Sequence, residues 1–382
     1  MEMRPLMENY TSETACLIGK RPMDIRDQTD TIRISVDKKL EDGYSNKLTR
    51  NRVAKDSGGF HFLQNPDAAA DFDVNTLVET HRRIGVNDND IIIAGDFPVP
   101  RFADLSDAEV AMRQQTSVDW FNEMKQEIPQ TIPVIHGRNA VEVLNHLNEY
   151  HVDGMVGFGS NLAQATHRVM SRIGAAKADS TNPLVSKEDL WRVIIETSEG
   201  LVREDRKFFL LGAGGMNAAK VATMLGAECV DATSWRLNAM TRRLMDAEHG
   251  RFIKVGRTST VHKEWADSHL RSVHMEDDYP FGLASGYNYD EMLALLSADG
   301  ANATTARGIH NIWELDRDAK ELSEMADDPD RLNRHILKQW EGTGYHHSLN
   351  KKVLQKAYES RKGASTADEF LNFHSFDPEI IG

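Results

Sequence analysis

A repeated pattern constrains this chain more than any other feature. Short runs rich in apolar residues occupy 15–19, 31–36, 52–56, 90–96, 131–137, 154–159, 207–214 and 228–233. Most are nearly uninterrupted, the pattern of strands buried on both faces of a parallel sheet. Amphipathic stretches at 108–127, 140–150, 187–199 and 217–225 lie between them and read as helices. Alternation of strand and helix repeated eight times predicts an α/β fold, and eight repeats over this length predict a TIM (β/α)8 barrel. The run 31–36 alternates polar and apolar residues, so it fits a hairpin ahead of the barrel as well as a barrel strand.

Beyond about residue 256 the texture changes. Segments 292–296, 309–326, 332–340 and 353–361 read as helices separated by polar turns. The expected division is a barrel domain over 1–259 and a mostly helical C-terminal region over 260–382, the last residues forming a loosely held tail. The longest apolar runs are strand-length, and residues 1–13 lack an apolar targeting core, so a soluble, cytoplasmic protein with no membrane partner is expected. Only two of the 382 residues are cysteines, Cys16 and Cys229, which excludes a disulfide framework and a thiolate zinc cluster. The formal charge of −14, from 45 Lys and Arg against 59 Asp and Glu, argues against a uniformly basic nucleic-acid coat and leaves room for a local basic groove.

The strand-like runs finish in chemistry-bearing residues: Asp56, Asp96, His136, Gly159, Gly212 and Asp231. Parallel strands of a barrel deliver such residues to one face, where active sites lie. A single Asp after a strand is commonly a turn former or helix cap. Three carboxylates with a histidine and paired glycines form a constellation instead. Two carboxylates flanking a sugar carbon suit glycosidic chemistry, one attacking and one moving protons. A third suits recognition of N–H donors on a nucleobase.

Six segments, in order, carry a family resemblance. Lys55-Asp56-Ser57-Gly58-Gly59-Phe60-His61 is similar to the Asp-Ser-Gly-Gly-Phe-Gln signature of the tRNA-guanine transglycosylases. Residues 90–96 resemble the strand ending in that family's base-reading Asp, and Pro133-Val134-Ile135-His136-Gly137 resembles its Gly-Ile-Ile-Gln-Gly. Asp153-Gly154 with Gly157 and Gly159, Phe209-Leu210-Leu211-Gly212-Ala213-Gly214, and Gly226-Ala227-Glu228-Cys229-Val230-Asp231 resemble the next three strands. Ile309-His310-Asn311 is a fainter echo of a late His-Asn pair. The resemblance implies a TIM barrel with catalytic Asp231 as nucleophile at C1′ and catalytic Asp56 as general base. It implies base binding by Asp96, His136, Ser57, Gly58, Gly157, Gly159, Leu211 and Gly212, with Leu211 standing where the family usually has Met. A homodimer is also implied by resemblance.

The departures point to a side branch. The family's Cys-x-Cys-x2-Cys…His zinc site after the nucleophile is missing, and His262, His269 and His274 are spaced at neither i,i+3 nor i,i+4, so no metal and no cofactor are expected and these read as surface or helix-contact histidines. His136 replaces a Gln, Arg101 replaces a stacking Tyr with Phe97 and Phe102 nearby, and Thr233-Ser234-Trp235-Arg236 replaces Pro-Thr-Arg, leaving Trp235 as a wedge or a core residue. The absent zinc module makes the chain most similar to the DpdA-type branch, the DNA-guanine transglycosylases that insert a 7-deazaguanine base into DNA in phage and bacterial modification systems. DNA is therefore the favoured polymer, with tRNA the alternative. A cationic track for the polymer is expected at Arg236, Arg242, Arg243, Arg251, Lys254 and Arg257, with a second set at Lys351, Lys352, Lys356, Arg361 and Lys362. Two further readings compete. Gly212-Ala213-Gly214-Gly215 after a strand is a weak match to a dinucleotide loop, lacking the third glycine in register. A non-catalytic nucleic-acid-binding paralogue has no reason to keep three acids at strand ends.

Overall fold

The computed structural model describes residues 16–18, 33–35, 54–57, 62, 66–84, 86–88, 90–100, 105–158, 187–213, 215–232, 234–256, 263–341 and 348–363. Its strands are β1 (Cys16–Ile18), β2 (Arg33–Ser35), β3 (Ala54–Asp56), β4 (Ile91–Ile93), β5 (Thr131–Ile132), β6 (Val134–Ile135), β7 (Val156–Phe158), β8 (Phe208–Leu210) and β9 (Cys229–Ala232), followed by β10 (Arg243–Asp246) and β11 (Arg251–Lys254). The helices are α1 (Val74–Ile84), α2 (Asp107–Glu127), α3 (Ala140–Glu149), α4 (Lys187–Arg203), α5 (Met216–Leu225), α6 (Ser234–Met240), α7 (Glu264–His274), α8 (Tyr289–Ser297), α9 (Ala301–Ser323), α10 (Pro329–Gln339) and α11 (Ser348–Arg361). The α/β class expected from the strand–helix alternation is present.

Two parallel sheets form, in the orders β2-β3-β4-β5 and β1-β9-β8-β7-β6. Each expected apolar run contributes a strand. The run 131–137 contributes two, because Pro133 interrupts it. Ile93 pairs with Ile132 on one side of the proline, and Val134 pairs with Gly157 on the other. Run 31–36 pairs parallel with β3 and is not half of a hairpin. β1 also packs beside β2, where the two sheets meet again.

Side chains alternate across the strands as the pleat requires. Ile91 and Ile93 pack with Ala54, Ile132, Val134, Phe209 and Cys229, a cluster drawn from both sheets. Ile92, Val156, Phe158, Phe208 and Leu210 face the other way, into a larger core shared with α2, α3, α4 and α5. Ser106 starts α2 with a capping box: its Oγ accepts the Glu109 N–H, while Glu109 accepts the Ser106 N–H. α5 ends at Gly226, whose φ of 87° lies in the left-handed region that glycine tolerates.

The C-terminal helices are not one separate layer. Leu332, Ile336, Trp340, Val353 and Leu354 of α10 and α11 join the core over the sheet. A different cluster joins the antiparallel β10–β11 hairpin to α7, α8 and α9. Sequence patterning did not anticipate this hairpin or α7. No helix among the described residues is long and apolar enough to cross a membrane.

One buried ion pair fastens α9 to α5. Lys220 Nζ donates to both oxygens of Asp318, at 2.6 Å to Oδ2, and at 2.9 Å to the Ala247 carbonyl. Both side chains are almost wholly buried, and Gln339 donates to Asp318 as well. Removing one partner leaves an uncompensated buried charge. Lys220→Ala is expected to lower unfolding stability by about 3–5 kcal/mol. The double variant Lys220→Met/Asp318→Leu should recover most of that loss, as measured by chemical denaturation.

Candidate active site

In a parallel sheet all strand C-termini share one edge, so the residues just beyond them are brought together by topology. Asp96 follows β4 of one sheet and His136 follows β6 of the other. Their side chains meet: His136 Nε2 lies 3.0 Å from Asp96 Oδ2. Both residues are buried, Asp96 at 7% exposure and His136 at 1%. Two members of the expected constellation are thus in contact across the seam between the sheets.

The supports come from α2 and α3. The chain after Asp96 is pinned to α2, because the Phe97 N–H donates to Ser117 Oγ at 2.8 Å and Arg113 Nη1 donates to the Pro98 carbonyl at 2.9 Å. The Arg113 guanidinium also lies 4.3 Å from the centre of the buried Phe97 ring, which takes Phe97 out of contention as an open stacking surface. His136 is gripped at both ends of its peptide. Its N–H donates to His146 Nδ1 at 3.0 Å, and its carbonyl accepts from Gln114 Nε2 at 2.7 Å. His146 Nδ1 must accept, so its proton sits on Nε2, which reaches the Gln114 carbonyl at 3.1 Å. Gly137 lets the chain turn straight into α3: a Cβ there would stand 2.6 Å from the Val143 nitrogen.

Two titrations carry the imprint of this packing. Burial, aided by the nearby His136, pushes the His146 imidazole down to about 3. Burial and the Asp96 charge hold the Tyr150 phenol well above its ordinary range, and its hydroxyl donates to the Val134 carbonyl at 2.9 Å. His146, Gln114, Ser117, Arg113 and Tyr150 were not among the residues expected to matter. They lie on or at the end of the helices that follow the motif strands, outside the motifs themselves, and only their polar character on an otherwise buried face hinted at them.

The other expected residues fall as follows. Asp56 is the last residue of β3, paired in register with Ser35, and Asp231 lies in β9 beside Leu17 of β1. Ser57 is buried and donates its hydroxyl to the Ile93 carbonyl, tying the end of β3 to β4. Gly157 lies in β7 against Leu211: a Cβ there would be 3.5 Å from Leu211 Cδ1, an ordinary contact, so space alone does not require glycine. Gly212 takes a φ of 83°, in the region that favours glycine, two residues after β8. Gly58, Gly159, Arg101, Phe102, Arg257 and His262 lie outside the described residues.

The cationic track divides. Arg242 pairs with Asp299 and donates to the Ser297 carbonyl, and Arg251 donates to Asp246 Oδ2 at 2.6 Å while stacking on Trp265. Arg243 and Lys254 are exposed and sit opposite each other in the hairpin register. Arg236 lies within α6. Trp235 is 2% exposed and belongs to the core, not to a wedge. In the second set, Lys356 pairs with Glu359 at 3.1 Å. His310 and Asn311 are structural: Asn311 Oδ1 accepts the Met245 N–H at 2.7 Å, and His310 meets Tyr279 Oη at 2.8 Å. His269 and His274 are buried, as helix-contact and not surface histidines: His269 Nε2 lies 3.0 Å from Glu314 Oε1 of α9, and His274 Nε2 bonds the Tyr287 carbonyl at 2.9 Å.

No family model matches the chain, and no curated protein matches it in sequence.

The lowered His146 predicts an acid-sensitive scaffold. In the folded protein the ring stays neutral down to about 3, whereas the unfolded chain protonates it near 6.5. The unfolded state therefore binds the extra proton between these values, and stability is lost as pH falls below 6.5. The expected slope is at most about 1.4 kcal/mol per pH unit from this group. Denaturation of His146→Gln at several pH values should show a shallower dependence than the parent.

Proposed function

We propose that this chain is a base-exchange transglycosylase that replaces guanine in DNA with a 7-deazaguanine. The observation that carries the reading is the Asp96–His136 contact, which unites the C-terminal edges of the two sheets at the two positions that the motifs assign to base recognition. The fold reading that goes with it is a closed eight-stranded barrel. Support comes from the strand run shared across Pro133, from the packing of β1 beside β2, and from an apolar cluster common to both sheets. In that arrangement β3 and β9 flank the adjacent pair β2 and β1, with Asp56 at the last position of β3 and Asp231 at the third of four in β9.

The proposed chemistry is a double displacement. The Asp231 carboxylate attacks C1′ of a deoxyguanosine, a C1′–O bond forms and the C1′–N9 bond breaks. The departing guanine takes the electron pair and a proton from the Asp56 carboxyl group, which leaves Asp56 ionised. Asp56 then removes the N9 proton of an incoming 7-deazaguanine. That nitrogen attacks C1′ and the C1′–Oδ bond breaks, restoring the Asp231 carboxylate. Two inversions leave the C1′ configuration unchanged. Asp96 accepts hydrogen bonds from N1–H and the 2-amino group of the base, and His136 beside it holds the carboxylate in place. Reaching C1′ in a duplex requires a flipped nucleotide or a single-stranded site.

The test is release of labelled guanine from DNA and, in parallel, from tRNA, each with and without added 7-deazaguanine bases. Exchange into DNA and a covalent protein–DNA adduct that is lost in Asp231→Ala are expected. Exchange into tRNA alone would reverse the choice of polymer. Binding without exchange in either polymer would leave a non-catalytic protein. Asp96→Ala should lower kcat/KM for exchange by roughly 10²- to 10⁴-fold, since it removes two charge-assisted hydrogen bonds to the base.

A further inference from the structure

We infer that the cleft between α9 and α10 binds a nucleoside phosphate, with guanine the base it selects. The inference is independent of the transglycosylase reading, since the cleft is built from C-terminal helices and includes no strand-end residue. The cavity holds about 380 Å³, within the range of small-molecule sites. Its lining comes from two helices joined by the short connection 324–328.

One wall is cationic. Arg331, Arg334 and Lys338 recur at i, i+3 and i+7, so they stand on one face of α10. All three are exposed, and none forms a salt bridge among the described residues. Guanidinium groups present planar forks of donors that match phosphate oxygens, and an ammonium adds a point charge.

The facing wall carries acceptors. Glu321 in the last turn of α9 and Glu324 at its C-cap are exposed and line the same cavity. Charges of opposite sign thus border one space, yet no ion pair joins either glutamate to the three α10 cations. His335 Nε2 lies 3.6 Å from Glu321 Oε2, too far for a hydrogen bond. That nitrogen is buried and has no hydrogen-bond partner, so an occupant of the cavity would supply one. Met325, 6% exposed, adds a polarizable apolar surface on which a flat ring can rest.

These features select by chemistry. A bare anion would be drawn to α10 and repelled by the glutamates. A ligand with phosphate at one end and N–H donors at the other satisfies both walls. Ionised carboxylates accept and do not donate. Guanine offers N1–H and its 2-amino group as adjacent donors. Adenine sets its 6-amino group beside the N1 acceptor, which a carboxylate repels. The acceptor wall therefore favours guanine.

The test is equilibrium dialysis of the full-length protein against labelled GMP, AMP, guanosine and inorganic phosphate. About one GMP per chain is expected. AMP, guanosine and phosphate should each bind more weakly by roughly 10-fold or more, the worth of a lost charge-assisted hydrogen bond. Arg334→Ala and Lys338→Ala, both at exposed positions, should keep native circular dichroism and lose GMP affinity by a similar factor. Glu321→Gln combined with Glu324→Gln should narrow the preference for GMP over AMP while phosphate binding is retained. Asp96→Ala should leave GMP binding unchanged, which separates this cleft from base binding at the strand ends. Absence of saturable GMP binding, or equal affinity for GMP and inorganic phosphate, would overturn the inference. So would GMP binding that is lost in Asp96→Ala and kept in a folded Arg334→Ala/Lys338→Ala variant, since the ligand would then sit at the strand ends.

Discussion

Proline has no N–H to give to a strand ladder, and the arrangement of the two sheets turns on that fact at Pro133. The residues before it pair with β4, and those after it pair with β7. The proline carbonyl still accepts, from the Gly157 N–H at 2.7 Å, so the interruption loses one donor and no acceptor. A single extended segment therefore belongs to both sheets. Because β4 and β6 adjoin this seam, the residues that follow them, Asp96 and His136, come into contact.

The contact is held from behind. α2 and α3 contribute side chains that bond main-chain groups at the strand ends: Ser117, Arg113, Gln114, His146 and Tyr150. Main-chain anchoring of this kind fixes where the functional side chains start without consuming their polar atoms. Burial has a consequence for the anchors themselves: it strips water from the His146 imidazole and, with His136 nearby, holds that ring neutral far below its ordinary range.

Much of the α/β framework was legible in the chain. A run such as 90–96 is apolar on both faces because one face meets the inter-sheet cluster and the other meets helices, and that double burial leaves a signature needing no partner to be read. The strand-end residues Asp96 and His136 were legible for the same reason. The hairpin was not: Arg243-Leu244-Met245-Asp246 has no alternation, and the burial of its last three residues is set by α9, some 65 residues later, as in the His310 to Met245 contact. The clustering of cations over 236–257 reflected local ion pairs as much as any surface track, since Arg242 and Arg251 are engaged by Asp299 and Asp246. The burial of His269 and His274 depends on elements whose packing no short window contains.

The division of those cations has a consequence in solution thermodynamics. A polyanion bound at this hairpin would be met by Arg243 and Lys254, an adjacent cross-strand pair at its exposed face. Each phosphate neutralised on duplex DNA releases close to one condensed counterion, so two such contacts set a slope of about −2 in log affinity against log salt. From those two described residues alone, in a chain of formal charge −14, long-range attraction of a polyanion would be weak. Selectivity would then have to come from what fits at the strand ends and not from charge.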